Sequence, residues 1–317
     1  MQSKIIRIKQ PDTAPLNLTW VVNNICTNHC SYCPENLHNG TNHNYDWENA
    51  RKFFKILFER YPKIHCSASG GEPSVSPFFP ELVKLFYDNG HTIGVTSNAA
   101  KPASYWADIS KYLQYICFSY HAEFADPKFL DKVDASAENT FTTVRIMMHP
   151  TYWDQCVDMY KQVLAKNTVF VEPVRILDWG VPNTKLMADS YTPDQVAWFN
   201  TNIGNHSSLI LDKFLDRPVL ELWADYYLDD GTVDAHGSAT DYTNKGMTNF
   251  HGYVCEAGIK GLFINAQGDV NLANCEINGT IGNLNAPENI MWPTGPVVCN
   301  KNLCHCSSDV NLNKWIP

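Results

Sequence analysis

Cys26-Thr-Asn-His-Cys30-Ser-Tyr-Cys33 follows an apolar run, Leu18-Thr-Trp-Val-Val22. The spacing is C-x3-C-x2-C, so three thiols sit on one short loop at the end of an expected strand. Thiolates are the ligands that soft iron and iron–sulfur clusters prefer. A closed zinc or cluster site takes a fourth ligand, so three thiolates leave a coordination position open for chemistry. A partial zinc site is the alternative reading of the same residues.

Outward from the triad, helix and strand patterns alternate. Trp47, Ala50, Phe53, Phe54, Leu57 and Phe58 recur at helical spacing over residues 44–61, with Asp46 as the N-cap. Residues 63–69 alternate like a strand and end in Gly70-Gly71-Glu72-Pro73. A helix pattern at Phe79, Leu82, Val83 and Phe86 precedes a strand over 91–97 that closes at Asn98. A short helix over 102–111, strands over 113–120 and 142–148, a helix over 153–166 and a strand over 168–176 complete the series. Pro173 marks that last strand as an edge or a bulge. Strands alternating with helices require right-handed crossovers and a parallel sheet, so the fold class is α/β. Beyond residue 181 the regularity fades. Residues from Thr192 read as helical, 209–228 as one or two helices, and 229–249 as a loop. Residues 262–272 read as a hairpin turning at Gln267-Gly268.

Composition narrows the function classes. With 44% apolar residues, 317 residues bury a sizeable core. Lys+Arg 24 against Asp+Glu 33 gives a net charge of −9, which argues against a general affinity for nucleic acid or anionic membrane. The N-terminal residues lack the apolar run of a signal peptide, and no stretch reaches membrane-spanning length. The odd count of eleven cysteines then reads as reduced thiols and metal ligands in a cytoplasm, with no disulfide framework.

The triad spacing, with Tyr32 before the last cysteine, resembles the radical S-adenosylmethionine (radical SAM) superfamily. There the same triad holds a [4Fe–4S] cluster whose fourth iron chelates the amino and carboxylate groups of SAM. The resemblance implies a six-stranded partial (β/α)6 TIM-like barrel and carries a ligand role onto Cys26, Cys30 and Cys33. The family's GGE-type motif contacts the SAM amino group, so that role falls to Gly70, Gly71 and an exposed Glu72. Ser97 and Asn98 take the positions that hold the SAM ribose or carboxylate, Ser119 the matching end of the fourth strand, Arg145 a place in the fifth, and Tyr32 the aromatic position near the adenine. Each residue also reads as a turn, cap or packing residue. His121, His149, Glu172 and Arg175 are candidates for substrate contact, while Cys66, Cys117 and Cys156 read as small buried hydrophobes.

Residues 251–317 carry Cys255, Cys275, Cys299, Cys304 and Cys306. A cysteine, a hairpin with a glycine turn, a second cysteine and a downstream group resemble the SPASM/twitch extension of radical SAM enzymes, which binds auxiliary [4Fe–4S] clusters. The tail here is C-x4-C-x1-C and lacks the C-x2-C pair of a full SPASM pattern. The resemblance therefore implies one auxiliary cluster with one thiol spare, Cys299 being the expected spare, or a zinc site on the same ligands. The implied division is a barrel over 1–180, a connector over 181–250 and a twitch-like domain over 251–317. The implied activity is reductive cleavage of SAM to a 5′-deoxyadenosyl radical that takes a hydrogen atom from a peptide or protein side chain, with electrons from a flavodoxin- or ferredoxin-type donor. A sugar, nucleotide or nucleic-acid substrate is the alternative, and a non-catalytic iron–sulfur or zinc-binding module stands further off.

Overall fold

The computed structural model describes residues 3–40, 44–178, 185–186, 190–202 and 224–317. After β1 (Ile5–Lys9), six strands lie parallel in chain order: β2 (Leu16–Asn23), β3 (Ile64–Gly70), β4 (Thr92–Ser97), β5 (Tyr115–His121), β6 (Phe141–Met148) and β7 (Phe170–Arg175). Helices α1 (Trp47–Arg60), α2 (Phe79–Asp88), α3 (Ala103–Ser110), α4 (Phe129–Ala137) and α5 (Trp153–Leu164) cross between successive strands. Asp46 caps α1 as expected, its carboxylate accepting from the Asn49 N–H at 3.1 Å. Pro173 stands in β7, which pairs only with β6 among the described residues.

The two faces of this sheet differ in chemistry. Leu16, Leu18, Trp20 and Val22 alternate along β2 and are buried against the helices. Trp20 meets Phe54 of α1 at 5.1 Å between ring centroids, and Phe54 meets Phe86 of α2 edge-on at 5.2 Å. Burial of each such side chain contributes about 1.5–3 kcal/mol. The opposite face is polar. Tyr115 donates from its hydroxyl to Ser67 Oγ at 3.1 Å, and Arg145 pairs with Glu172 at 3.0 Å. Gly94 makes room for that tyrosine, because a Cβ there would lie 2.1 Å from Tyr115 Cε1.

Short strands β8 (Leu177–Asp178) and β9 (Lys185–Leu186) pair with each other, and α6 (Pro193–Asn202) follows where a helix was expected. The expectation of helix over 209–228 is corrected at its described end. Ala224–Leu228 is β10, whose Ala224 and Tyr226 are buried; residues 209–223 lie outside the described residues. The expected loop over 229–249 holds β11 (Val233–Gly237) and α7 (Ala239–Asn244). The hairpin forms as read, from β13 (Gly261–Ile264) and β14 (Asp269–Asn271), preceded by β12 (Val254–Cys255) and followed by β15 (Thr280–Asn283). Its β13 lies parallel beside β2, so the C-terminal region extends the main sheet to nine strands in the order β15-β14-β13-β2-β3-β4-β5-β6-β7. With β16 (Val297–Val298), α8 (Ser307–Val310) and β17 (Lys314–Trp315), a second, antiparallel sheet runs β11-β10-β1-β17-β12-β16. Among the described residues, no helix is long and apolar enough to cross a membrane.

Candidate cofactor site

The triad loop leaves β2 through a clamp built on glycine. The Gly71 N–H donates to Asn23 O and the Glu72 N–H to Ile25 O, both at 2.8 Å. A Cβ on Gly70 would lie 2.4 Å from Asn23 O, and one on Gly71 would lie 2.4 Å from Ile25 O. Gly70 also adopts a φ of 136°, a region that favours glycine. The close approach these glycines permit is thus to the backbone that launches the triad. Asn23 completes the clamp, its amide donating to Ser76 Oγ at 2.6 Å and to Glu72 O at 3.2 Å.

Glu72 corrects the expectation of an exposed carboxylate. It is fully buried and does not line the cavity beside the triad. Its carboxylate accepts from Ser97 Oγ at 2.8 Å, Asn98 N at 2.6 Å and Ser74 N at 3.0 Å. Burial pushes its pKa up, and these hydrogen bonds pull it back. The carboxylate therefore fastens the end of β4 to the end of β3. Beyond it, Ala99 adopts a φ of 61°, a costly conformation for a residue with a Cβ. The Ala99 N–H donates to Ser97 Oγ at 3.0 Å, and the buried Lys132 ammonium donates to Ala99 O at 2.5 Å. Lys132 and Asp126, its partner at 2.5 Å, are supports that sequence reasoning missed.

A cavity of about 300 Å³ opens at these strand ends. Cys26, Cys30, Cys33 and Tyr32 line it, as do Gly70, Gly71, Ser97, Asn98 and Ser119. Of the substrate-contact candidates, His121 and Arg175 line it too. Arg145 does not; it points from β6 to its partner Glu172 on β7, and both are about half exposed. Asn98 donates through Nδ2 to Cys26 Sγ at 3.4 Å and Thr27 Oγ1 at 3.1 Å, while its Oδ1 is buried without a partner. Burial raises the pKa of Cys26 and Cys33 and pushes Cys30 up to about 12. Ligation of iron must therefore displace protons from these thiols.

A second group supports the loop from below. Tyr32 Oη lies 2.6 Å from His121 Nδ1, and burial holds that imidazole down at about 4 and neutral. Glu123 accepts from the Ser31 N–H at 3.0 Å and lies 3.8 Å from His149 Nε2, with the His149 ring 5.9 Å from that of Tyr32. His149 thus backs the aromatic residue of the motif. Glu123 was not singled out from sequence; its place two residues past the β5 end was the available signal.

All eleven cysteines are unbridged, and Cys66, Cys117 and Cys156 are buried as expected. The C-terminal thiols gather around β12. Cys255 pairs with Val297 of β16, and Cys299 follows directly after that strand, its N–H donating to Tyr253 O at 2.8 Å. Cys255, Cys275, Cys299 and Cys304 lie close enough for their charges to interact, and burial raises the pKa of Cys255, Cys275 and Cys304. Cys306 instead sits 3.0 Å from Ser308 Oγ. Cys299, the expected spare, is thus a neighbour of Cys255 and Cys275, and its own thiol donates to Lys301 O at 3.8 Å. Among the described residues, no three His, Cys, Asp or Glu side chains meet as the ligands of one metal ion. An iron–sulfur cluster spreads its thiolates over separate irons and makes no such demand. Two features of the triad site fit a cluster with SAM: soft donors facing one cavity, and the orphaned Asn98 Oδ1 on its wall.

Residues 20–162 match the family model described as the Radical SAM superfamily. No curated protein matches the chain. Among solved structures, the chain is similar to native anSMEcpe with bound AdoMet and Cp18Cys peptide, at 15% identity and a TM-score of 0.53, over 88% of this chain and 81% of that one. It is also similar to Streptococcus suis SuiB bound to S-adenosylmethionine, at 14% identity and a TM-score of 0.52, over 89% of this chain and 66% of SuiB. At these identities the likeness is one of fold.

Proposed function

We propose that this chain, which carries a radical SAM domain over residues 20–162, cleaves SAM reductively to a 5′-deoxyadenosyl radical that takes a hydrogen atom from a peptide or protein side chain. The observation that carries the reading is the cavity shared by the three triad cysteines and the ends of β3, β4 and β5, the end of a β/α sheet where ligands bind. Cys26, Cys30 and Cys33 would hold the cluster and leave one iron for SAM. Asn98 offers SAM an unpaired acceptor, and Ser119 and His121 stand on the same wall. Glu72, Lys132 and Glu123 act at one remove, holding these groups in place. Keeping the cavity walls fixed is how the protein would orient SAM and keep water from the radical.

A peptide is the substrate class we favour because anSMEcpe, which shares the fold, is described with a bound peptide. We carry forward a partial (β/α)6 barrel over 1–180, a connector over 181–250 and a twitch-like domain over 251–317 with one auxiliary [4Fe–4S] cluster. The donor of electrons would be of flavodoxin or ferredoxin type, and the compartment the cytoplasm. Anaerobic reconstitution, iron counting and assay for 5′-deoxyadenosine test the reading. Iron at two clusters per chain with SAM cleavage is the expected result; zinc in place of iron and no 5′-deoxyadenosine would overturn it.

A further inference from the structure

Lys314 is 2% exposed, yet no carboxylate lies within 4.0 Å of its ammonium among the described residues. Its three N–H bonds are spent on backbone carbonyls: Asp309 O, Val310 O at 3.2 Å and Leu312 O at 3.3 Å. The Phe250 ring centroid lies 5.2 Å away. Carbonyls satisfy the hydrogen bonds and leave the charge uncompensated, and an unpaired buried charge is among the most costly features a fold can carry. The nearby Asp309 is also buried and makes no ion pair with Lys314, and its negative charge acts on the same thiols, Cys255, Cys275 and Cys304. Its carboxylate accepts from Asn274 Nδ2 at 2.8 Å, Asn274 N at 3.2 Å and Cys275 N at 3.0 Å.

What does face Lys314 is thiol. In the pairing of β12 with β17, Cys255 is the direct partner of Lys314. Residues so paired project from the same side of a sheet at close range. Cys275 is tied to the same corner, its N–H donating to Asp309 Oδ2 at 3.0 Å while Lys314 donates to Asp309 O. The Cys299 N–H donates to Tyr253 O, two residues before Cys255, and burial raises the Cys304 thiol while the Lys314 charge opposes it. Cysteines ligating a metal centre give up their protons, and four thiolates around a [4Fe–4S] core leave it net negative.

We propose that Lys314 is the buried counter-cation of an anionic iron–sulfur cluster held by Cys255, Cys275, Cys299 and Cys304. It acts as a positioning residue through its charge, since its hydrogen-bond donors are already taken. The inference rests on the auxiliary cluster of the proposed function. It adds which residue balances that cluster's charge and therefore sets its potential.

The test uses the full chain with Cys26, Cys30 and Cys33 replaced by Ala, so that iron reports the C-terminal site alone. Midpoint potential, followed by electron paramagnetic resonance, and urea unfolding with and without iron are measured for Lys314, Lys314→Met and Lys314→Arg. Removing the cation disfavours the reduced, more negative cluster. The Met variant should lower the midpoint potential by at least a tenfold change in the reduction equilibrium, 59 mV for a one-electron couple. The Arg variant should keep the potential of the parent. Unfolding adds a sign that a merely structural lysine would not produce: iron-free Met protein at least as stable as the iron-free parent, and iron-loaded Met protein less stable. If the Met variant does not accumulate, Lys314→Gln, which keeps donors without the charge, replaces it. Equal potentials for parent and neutral variant, or equal destabilisation with and without iron, would overturn the inference. A parent that binds two clusters in the unaltered chain separates that failure from failure of the proposed function; a C-terminal site that takes zinc or nothing overturns the inference and the auxiliary cluster, while SAM cleavage at the triad stands or falls by the 5′-deoxyadenosine assay.

Discussion

Glu72→Gln separates a carboxylate that holds the fold from one that holds the ligand. Three donors converge on the two carboxylate oxygens, Ser74 N and Ser97 Oγ on Oε1 and Asn98 N on Oε2. Glutamine offers one acceptor oxygen and one NH2 group. Whichever way the amide turns, its NH2 confronts a backbone N–H, that of Asn98 or that of Ser74. Stranding one buried donor costs about 1–3 kcal/mol. Relief of a buried charge, visible in the raised pKa of Glu72, offsets part of that. The net expectation is a loss of about 1–2 kcal/mol of stability, with the β3 and β4 ends loosened. The assay is urea unfolding of the iron-free protein, beside titration of SAM into reconstituted wild type and variant. An unchanged unfolding midpoint with SAM affinity reduced tenfold or more would refute the reasoning, because it would mean that the carboxylate reaches the ligand.

Replacing Cys26, Cys30 and Cys33 with Ala is expected to abolish SAM cleavage and leave iron at the C-terminal site; loss of all iron on quantification would refute the two-site picture. In single substitutions, Cys299→Ala and Cys304→Ala should each lose the C-terminal iron and Cys306→Ala should keep it, given the Cys306–Ser308 contact of 3.0 Å; the opposite pattern would restore Cys299 as the spare. His65 is buried, and desolvation lowers its pKa from 6.5 to about 4. It stays neutral in the fold while the unfolded chain takes up a proton, so the stability it contributes is present above pH 6.5 and lost as pH falls through about 4. That amounts to about 3 kcal/mol across the window, and His65→Phe should flatten this acid limb of unfolding free energy against pH. An unaltered slope would clear His65 of the effect.

The barrel-type alternation was legible because local pattern and global fold agree along β2 to β7. Trp20, Phe54 and Phe86 recur at the spacings their elements require, and each is fully buried. Helix α4 escaped notice because its buried set mixes Phe129 and Val133 with Lys132 and Ser136, so hydrophobicity alone does not trace its face. Residues 224–228 read as helical because Asp225, Tyr227 and Leu228 are as tolerable in a helix as in a strand. What makes them β10 is pairing with β1, more than two hundred residues earlier in the chain. The triad and its glycines were legible as a site, but the partners of Glu72 were not. Ser97 and Asn98 meet it only when β4 is laid beside β3, and no spacing in the sequence encodes whether a carboxylate turns into the fold or out of it.

Strand β2 relates the two thiol sets physically. Its C-terminal end launches the triad, and its inward-facing Thr19 reaches Ser308 Oγ at 3.4 Å, where Ser308 also accepts from Asn274 and adjoins Cys306. From Thr19 to Asn23 is four residues of strand, on the order of 13 Å. β2 is an interior strand, held between β3 and β13 by parallel ladders on both sides, so neither thiol set can shift along it without breaking backbone hydrogen bonds. On the proposed reading, a substrate held between them meets the polar inner face of the sheet. That face carries the Tyr115–Ser67 hydrogen bond and the half-exposed Arg145–Glu172 pair. It suits a substrate with hydrogen-bonding groups of its own, such as a peptide backbone, because an apolar group placed there would strip water from the half-exposed Arg145 and Glu172 charges and return no hydrogen bond.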